Sequence, residues 1–238
     1  HVVGKEQTEY FKVAFKALEQ IHPETVGKEM HLIGGFLQLK GAKKMSSRSG
    51  NIVTGDQLID EVRERIKSSF ENNDAEKNSS TSTLDVITYA ALKYAMLKAD
   101  VSKDVAFDME ESVSTTGDSG PYLLYIVARI KSILRKVDME KTEVDFDSLD
   151  IHEKEKQLLL QLSAYPIATR AAVETYDPSK IAKYLFELAQ TFNAFYEHCP
   201  VVKSSGQEQL FRVQLLQKVL QVMKHGLTIL GIKTVDKM

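Results

Sequence analysis

A loop near the start of this chain carries the residue types that grip phosphate. It spans residues 41–50, with Lys43, Lys44 and Arg48 as cations, three serines between positions 46 and 49, and Gly50. Serines and glycine let backbone N–H groups approach an anion, and the cations can stabilise charge that builds on a pyrophosphate leaving group. The loop follows an apolar strand-like stretch and precedes a helix. The alternative to phosphate binding is a solvated basic loop, because most runs of charged residues only form part of the protein surface.

A second group of chemically useful residues lies on one predicted helix. Tyr122, Tyr125 and Arg129 are spaced three and four apart, so they share one helical edge. Aromatic rings beside a guanidinium group are what unstacked RNA bases need for stacking and edge contacts. From the spacing alone, ordinary core packing of both tyrosines is the more frequent outcome.

The first half of the chain, which must position the loop, is predicted to contain both strands and helices. Val2 and Val3 read as the end of a buried strand, and apolar residues at helical spacing predict a helix over residues 6–20. The apolar stretch 31–39, with two glycines, predicts a strand pair or a bent strand. A helix opens at Gly55, residues 72–83 read as a solvated loop, residues 84–98 as a helix, and residues 105–109 as a short strand.

From Gly117 onward the pattern is almost wholly helical. Pro121, Pro166 and Pro178 each stand where a helix is predicted to begin, and the last long helix is predicted over residues 207–230. Phe192 and Phe195 belong to a strong apolar stripe and are predicted to be core. The second half therefore predicts an up-and-down helical bundle, and the chain as a whole a mainly α fold.

Composition excludes several classes of protein. With 43% hydrophobic and 27% charged residues, the 238-residue chain can bury a real core. The single cysteine, Cys199, excludes a disulfide framework, suggests a reducing cytosolic compartment, and is predicted to pack as a small apolar residue. No metal-ligand spacing occurs, and no apolar run approaches the roughly 20 residues that span a bilayer. The net charge of −2 leaves a local basic surface for a polyanion possible.

Residues 44–51, whose sequence is KMSSRSGN, resemble the KMSKS signature of class I aminoacyl-tRNA synthetases. This resemblance implies a mobile loop that binds the ATP phosphates during adenylate formation. Ser47 stands where the family pattern has its second lysine, and Arg48 can supply a phosphate-binding cation instead. The resemblance assigns the catalytic step to Lys44, Ser46, Ser47 and Arg48, and ATP contacts to Lys44 and Met45.

Four further segments resemble arginyl-tRNA synthetases in family order, across essentially the whole chain. They are VVGKEQ (2–7), GDSGPYLLYIVARIKSIL (117–134), FNAFYEHCPV (192–201) and GLTILGI (226–232). The resemblance implies the C-terminal part of an arginine–tRNA ligase. Its fold would be a truncated, Rossmann-like class I catalytic remnant (1–55), a connecting helical region that contacts the tRNA stem (56–116) and a helical anticodon-binding domain (117–238).

The resemblance also implies site residues and partners. Contacts with the anticodon are expected from Tyr122, Tyr125, Arg129, Asn193, Tyr196 and Met238. The ATP pocket would be bordered by Gly4, Gln7, His31 and Leu32, although His31 could equally be a satisfied strand-end histidine. The expected partners are ATP with Mg²⁺, arginine tRNA and L-arginine, in the cytoplasm, with no protein-bound metal and no membrane.

Parts of the class I catalytic machinery are missing from this sequence. No His-x-Gly-His word occurs among its six histidines, and the family's arginine-binding residues lie outside the chain. We therefore expect that the chain alone cannot form arginyl-adenylate, and that its truncated sheet exposes apolar surface around Val2, Val3 and residues 31–39. The alternatives are another class I enzyme such as a cysteinyl-tRNA synthetase, a non-catalytic tRNA-binding module, and a helical scaffold whose tyrosines are all core.

Overall fold

The computed structural model describes residues 1–40, 54–71, 81–137 and 143–238. These parts of the chain contain the strands β1 (Val2–Gly4), β2 (Leu32–Gly34), β3 (Leu37–Leu39) and β4 (Val105–Phe107). Their α-helices are α1 (Thr8–Ile21), α2 (Gly55–Glu71), α3 (Thr81–Leu97), α4 (Met109–Val113), α5 (Gly120–Leu134), α6 (Glu153–Ser163), α7 (Tyr165–Thr175), α8 (Ser179–His198) and α9 (Gly206–Ile229). The predicted mainly α fold is confirmed.

The strands form two separate parallel pairs rather than one sheet. β1 pairs with β2, with Val2 opposite Leu32, and β3 pairs with β4, with Leu37 opposite Val105. Residues 31–39, predicted as a strand pair or a bent strand, thus hold two short strands separated by a bend, but β2 and β3 do not pair with each other because each takes a different partner. At the bend between them Gly35 is required, since a Cβ there would lie 1.8 Å from the carbonyl oxygen of Lys103.

The N-terminal region, residues 1–40, has no buried residue. Val2, predicted to lie in a buried strand, is 75% exposed, and Val13 on α1 is 71% exposed. The expected exposure of apolar surface is confirmed at Phe36 and Leu37 as well. This region has secondary structure but no core of its own within the described residues.

The helices α2 to α9 enclose the hydrophobic core. α5 lies at its centre and is buried on nearly every side. Gly120 permits close packing of α5 on α3, because a Cβ there would lie 2.1 Å from the carbonyl oxygen of Ala90. The core also takes Leu58 and other residues of α2, so α2 and α3 share it with the bundle.

Helix starts follow the local sequence closely. The hydroxyl of Ser119 accepts a hydrogen bond from the backbone N–H of Tyr122, and Pro121 occupies the first turn of α5. Pro166 lies in the first turn of α7, and Pro178 immediately precedes α8. α3 begins at Thr81, three residues before the predicted start; residues 72–80 of the predicted loop lie outside the described residues.

The loop before α5 is anchored to α3. The Tyr94 hydroxyl donates to Asp118 Oδ1 at 2.6 Å, and Lys98 Nζ donates to the Asp118 carbonyl oxygen at 2.8 Å. Tyr94 is almost fully buried, which makes this a fixed junction. The predicted boundary at residue 117 thus falls in a loop held by the helix on its N-terminal side.

Candidate nucleic-acid interface

Two helices bring four of the predicted RNA-contacting side chains together. Tyr125 and Arg129 come from α5, and Asn193 and Tyr196 come from α8; we call these four residues the platform. The guanidinium carbon of Arg129 lies 4.6 Å from the centre of the Tyr125 ring and 5.3 Å from that of Tyr196. Arg129 also donates to the Tyr125 hydroxyl, and its Nη1 lies 3.5 Å from Asn193 Oδ1. Sequence spacing grouped Tyr125 with Arg129, the family resemblance named Asn193 and Tyr196, and the tertiary structure joins the two pairs.

The platform is exposed on one side and supported by the core on the other. Tyr196 is 40% exposed, whereas Phe192, stacked against it at 6.0 Å between ring centres, is fully buried. Tyr125, Arg129 and Asn193 are half-buried. The predicted core positions of Phe192 and Phe195 are confirmed, because both are 0% exposed. Since rigid helices position the platform, its geometry does not depend on a loop.

The electrostatics of the platform suit an anionic or base ligand. In the described part of the chain the contacts of Arg129 are with uncharged groups, namely Tyr125, Tyr196 and Asn193. Within those described ranges, the guanidinium charge is therefore held by rings and an amide, and no carboxylate forms an ion pair with it. Such a group can donate to a phosphate or a base edge, while the tyrosine rings offer stacking faces.

Tyr122 does not take the stacking role considered for it from the sequence. It is only 7% exposed, and its ring packs edge-on against Phe186 with 5.9 Å between ring centres. Its hydroxyl accepts a hydrogen bond from Asn193 Nδ2 at 2.8 Å. Burial raises the pKa of Tyr122, against the opposing effect of the Arg129 charge. The tyrosine therefore lies behind the platform, because α8 covers its ring.

The last residues of the chain are fastened to α5. Lys131 Nζ donates to the carbonyl oxygen of Val235 at 2.8 Å and pairs with Asp236 at 2.7 Å. The bond from Lys131 holds the pKa of Asp236 below its usual value. Met238 is half-buried against the core. One helix thus carries half of the platform and also anchors the segment that ends in Met238.

The residues predicted to border ATP gather around β1 and β2. Gly4 ends β1, while Gln7 is exposed in a single 3₁₀ turn that follows. The His31 ring stacks on Phe11 at 4.8 Å, and its Nε2 lies 3.1 Å from the carbonyl oxygen of Val3. The backbone N–H of Leu32 donates to the carbonyl oxygen of His1, so sheet pairing uses this group. His31 therefore has both a stacking partner and a hydrogen-bond partner within this region, and its contact with ATP stays a prediction.

The phosphate-gripping loop lies outside the described residues. This applies to Lys44, Met45, Ser46, Ser47 and Arg48. The flanking elements are as predicted, since β3 precedes the loop and α2 follows it at Gly55.

A buried ion pair beneath the end of α8 was not anticipated from the sequence. Glu155 and Arg212, 1% and 6% exposed, form a bond of 2.6 Å between Oε1 and Nε. Arg212 also donates to the carbonyl oxygen of Pro200, in the turn just after α8. The only local signal was the capping box, in which Glu155 accepts from the backbone N–H of His152. Cys199 beside the pair is buried as predicted, and burial raises the pKa of its thiol.

The described residues contain no group of three or more histidine, cysteine, aspartate or glutamate side chains arranged to hold a metal ion. Within the same ranges, no helix is both long and apolar enough to cross a membrane.

Known families match both halves of the chain. Residues 1–109 match the family described as tRNA synthetases class I (R), catalytic domain, and residues 123–238 match the DALR anticodon binding domain. The curated arginine–tRNA ligases of Flavobacterium psychrophilum and Streptococcus uberis are 33% and 34% identical over the whole chain. The chain spans 40% and 42% of their lengths, respectively.

Solved structures agree with these matches. The arginyl-tRNA synthetase of Thermus thermophilus superposes with a TM-score of 0.79 and 28% identity, over 87% of this chain and 35% of that one. The Plasmodium falciparum arginyl-tRNA synthetase gives a TM-score of 0.77 at 25% identity, over all of this chain and 40% of that one. The fold is therefore part of a class I catalytic domain followed by a helical anticodon-binding domain, in a family that uses ATP. With both domain matches in order along one chain, this protein belongs to the arginyl-tRNA synthetase family.

Proposed function

We propose that this chain forms the anticodon-binding and ATP-loop part of an arginine–tRNA ligase, which joins arginine to its tRNA at the expense of ATP. The observation that carries the proposal is the platform, where two separate family-like segments meet around one guanidinium group. We assign residues 1–55 to the catalytic remnant, 56–116 to the connecting region and 117–238 to the anticodon-binding domain.

In this proposal the platform binds unstacked bases of the anticodon loop. A base stacks on the open face of Tyr125 or Tyr196, and Arg129 donates to a phosphate or to acceptors on the base edge. Asn193 supplies a donor and an acceptor beside them. A single local cation of this kind is compatible with a chain whose net charge is −2. Met238 is assigned to the same RNA surface through its anchored tail.

The ATP side of the proposal rests on the loop and on the strands near it. Lys44 and Arg48 would stabilise the charge on the leaving pyrophosphate, with Mg²⁺ bound to the nucleotide. Met45, Ser46 and Ser47 would line the phosphates, and Gly4, Gln7, His31 and Leu32 the nucleoside. L-arginine would bind mostly to residues outside this chain. We assign the ligase to the cytoplasm.

The chain alone is expected not to activate arginine, because the His-x-Gly-His word is absent. The measurement is ATP–pyrophosphate exchange by the isolated chain with arginine and arginine tRNA present. No exchange above the protein-free rate is expected, and arginine-dependent exchange would contradict this part of the proposal.

Binding of arginine tRNA and cysteine tRNA, at one stated salt concentration, tests the anticodon-reading role. We expect a preference for arginine tRNA and a loss of about 5- to 160-fold in Tyr125→Ala, the range found when one base–aromatic stack is removed. The matched control is Tyr176→Ala. Tyr176 is 52% exposed and lies just before the start of α8. It is far from the platform, because the part of α8 between Ser179 and Asn193 is about 21 Å long at 1.5 Å per residue. Equal binding of both tRNAs, or an unchanged Tyr125→Ala variant, would contradict the proposal.

The salt dependence separates this role from that of an inert helical scaffold. Phosphate contacts release counterions, so the affinity for arginine tRNA should fall as ionic strength rises. Arg129→Gln should lower the slope of log affinity against log salt by about one phosphate contact if Arg129 binds a phosphate. An unchanged slope would assign Arg129 to the base edge instead.

A further inference from the structure

The amide of Asn193, on α8, is held in one orientation by two side chains of α5. An arginine side chain can only donate hydrogen bonds, so the amide oxygen must face Arg129, where Oδ1 lies 3.5 Å from Nη1. The amide nitrogen is then turned toward Tyr122 and donates to its hydroxyl at 2.8 Å. Either contact alone would leave the side chain freer to rotate.

Tyr122 is a fixed point behind this amide. Its backbone N–H is capped by the Ser119 hydroxyl at 3.1 Å, and its side chain is 7% exposed. The ring is confined by Phe186 of α8. Because its ring and its backbone are both constrained, the hydroxyl oxygen stays where Asn193 Nδ2 can reach it.

An oriented amide can discriminate between bases in a way that a rotating amide cannot. With one N–H spent on Tyr122 and one lone pair directed at Arg129, Asn193 retains one N–H and one lone pair for a ligand. If the amide were free to flip, donor and acceptor could exchange places, and bases with opposite edges would be bound about equally well.

We propose that Tyr122 is a positioning residue that acts on RNA through Asn193. Arg129 selects which end of the Asn193 amide faces it, and the buried Tyr122 hydroxyl, by accepting from the other end, holds the amide there and thereby sets which base edge the platform accepts. The inference rests on the proposed anticodon-binding function. It assigns to Tyr122 no contact with the RNA itself.

A double-mutant cycle with Tyr122→Phe and Asn193→Ala tests this inference. The probes are an arginine tRNA transcript and versions of it with each anticodon base exchanged in turn. Tyr122→Phe keeps the ring and removes one neutral hydrogen bond, so we expect about 3- to 10-fold weaker binding of the unaltered transcript. The preference over at least one exchanged transcript should shrink by a similar factor. In the Asn193→Ala background, Tyr122→Phe should cause no further change.

Tyr184→Phe is the matched control. Tyr184 is 4% exposed on α8, and its hydroxyl donates to the carbonyl oxygen of Gln161 at 2.8 Å, away from the platform. This variant should change thermal stability about as much as Tyr122→Phe while leaving base discrimination at the wild-type value. A purely structural role for Tyr122 would make the two variants alike in RNA binding.

The outcomes separate this inference from the proposed function. Wild-type binding by Tyr122→Phe, or losses that add to those of Asn193→Ala, would overturn the inference while Tyr125→Ala still weakened binding. If Tyr125→Ala and Asn193→Ala both bind arginine tRNA as the wild type does, the proposed function itself fails.

Discussion

The N-terminal region and the helical bundle have comparable apolar patterns in their sequences, but they differ greatly in how many of their side chains are buried. In residues 1–40, α1 is amphipathic and two strands pair, yet no side chain is buried. In the bundle, α5 and α8 are buried along much of their length. The difference shows that local sequence can specify an element without a core beneath it, whereas a precise side-chain site requires the core.

The two candidate sites, the platform and the residues assigned to ATP, differ in the same way. The platform is supported by the fully buried Phe192. The strands assigned to the nucleotide are tied to the rest of the chain by Asp104, which pairs with Lys5 at 3.0 Å and accepts from the Phe36 backbone N–H. The Phe36 N–H bond, together with that from Lys5, lowers the pKa of Asp104. Because the Lys5–Asp104 pair is exposed, solvent screens it and its stabilising effect is small.

The largest expected contrast comes from truncating one phenylalanine in each region. Phe192→Ala should lower the free energy of unfolding by about 3–5 kcal/mol, because it removes a fully buried ring and leaves a cavity. Phe36→Ala, at a ring that is 46% exposed, should cost well under about 1 kcal/mol. Urea denaturation with a shared m-value measures both. Equal losses would show that the first 40 residues are covered in solution.

The next effect concerns the buried ion pair under α8. Glu155→Ala should cost about 3 kcal/mol, because it leaves the Arg212 charge buried with a weaker set of partners. Arg212→Met should cost a similar amount for the converse reason. The double variant should lose less than the sum of the two single losses, since they share one interaction. Strict additivity in the denaturation midpoints would show that the pair is not coupled.

The smallest effect concerns the start of α8 and depends on pH. Asp177 accepts from the backbone N–H and hydroxyl of Ser179 and pairs with Lys180. Burial opposes its ionisation, but these bonds outweigh burial and keep the pKa of Asp177 below its usual value. Asp177→Asn should therefore cost about 1 kcal/mol at neutral pH, as the loss of a helix cap does.

The sign of that pH dependence follows from the lowered pKa. The stabilisation is fully present above the unfolded-state pKa of about 3.9 and is lost as the pH falls through the lower folded-state value. Stability curves of Asp177→Asn and wild type should thus run apart at pH 6–7 and converge in acid. A difference that persists below about pH 2.5 would assign the effect to packing instead of charge.

The sequence by itself determined the helical character, most helix starts and the shared helical edge of Tyr125 and Arg129. Proline and serine at positions 119–121 specify the start of α5 because a cap acts on backbone groups only two or three residues away. The spacing of Tyr125 and Arg129 specifies a shared edge for the same local reason.

Only the tertiary structure decided which side chain on that edge is open and which is covered. Tyr122 and Tyr125 both lie on the edge of α5 that carries Arg129. Phe186, 64 positions after Tyr122 in the chain, covers the Tyr122 ring. The separate partners of β2 and β3, and the pairing of Glu155 with Arg212, likewise depend on residues far away in the chain. Periodicity reports which face of an element is apolar, whereas burial and hydrogen-bond partners are set by the neighbour that packs there.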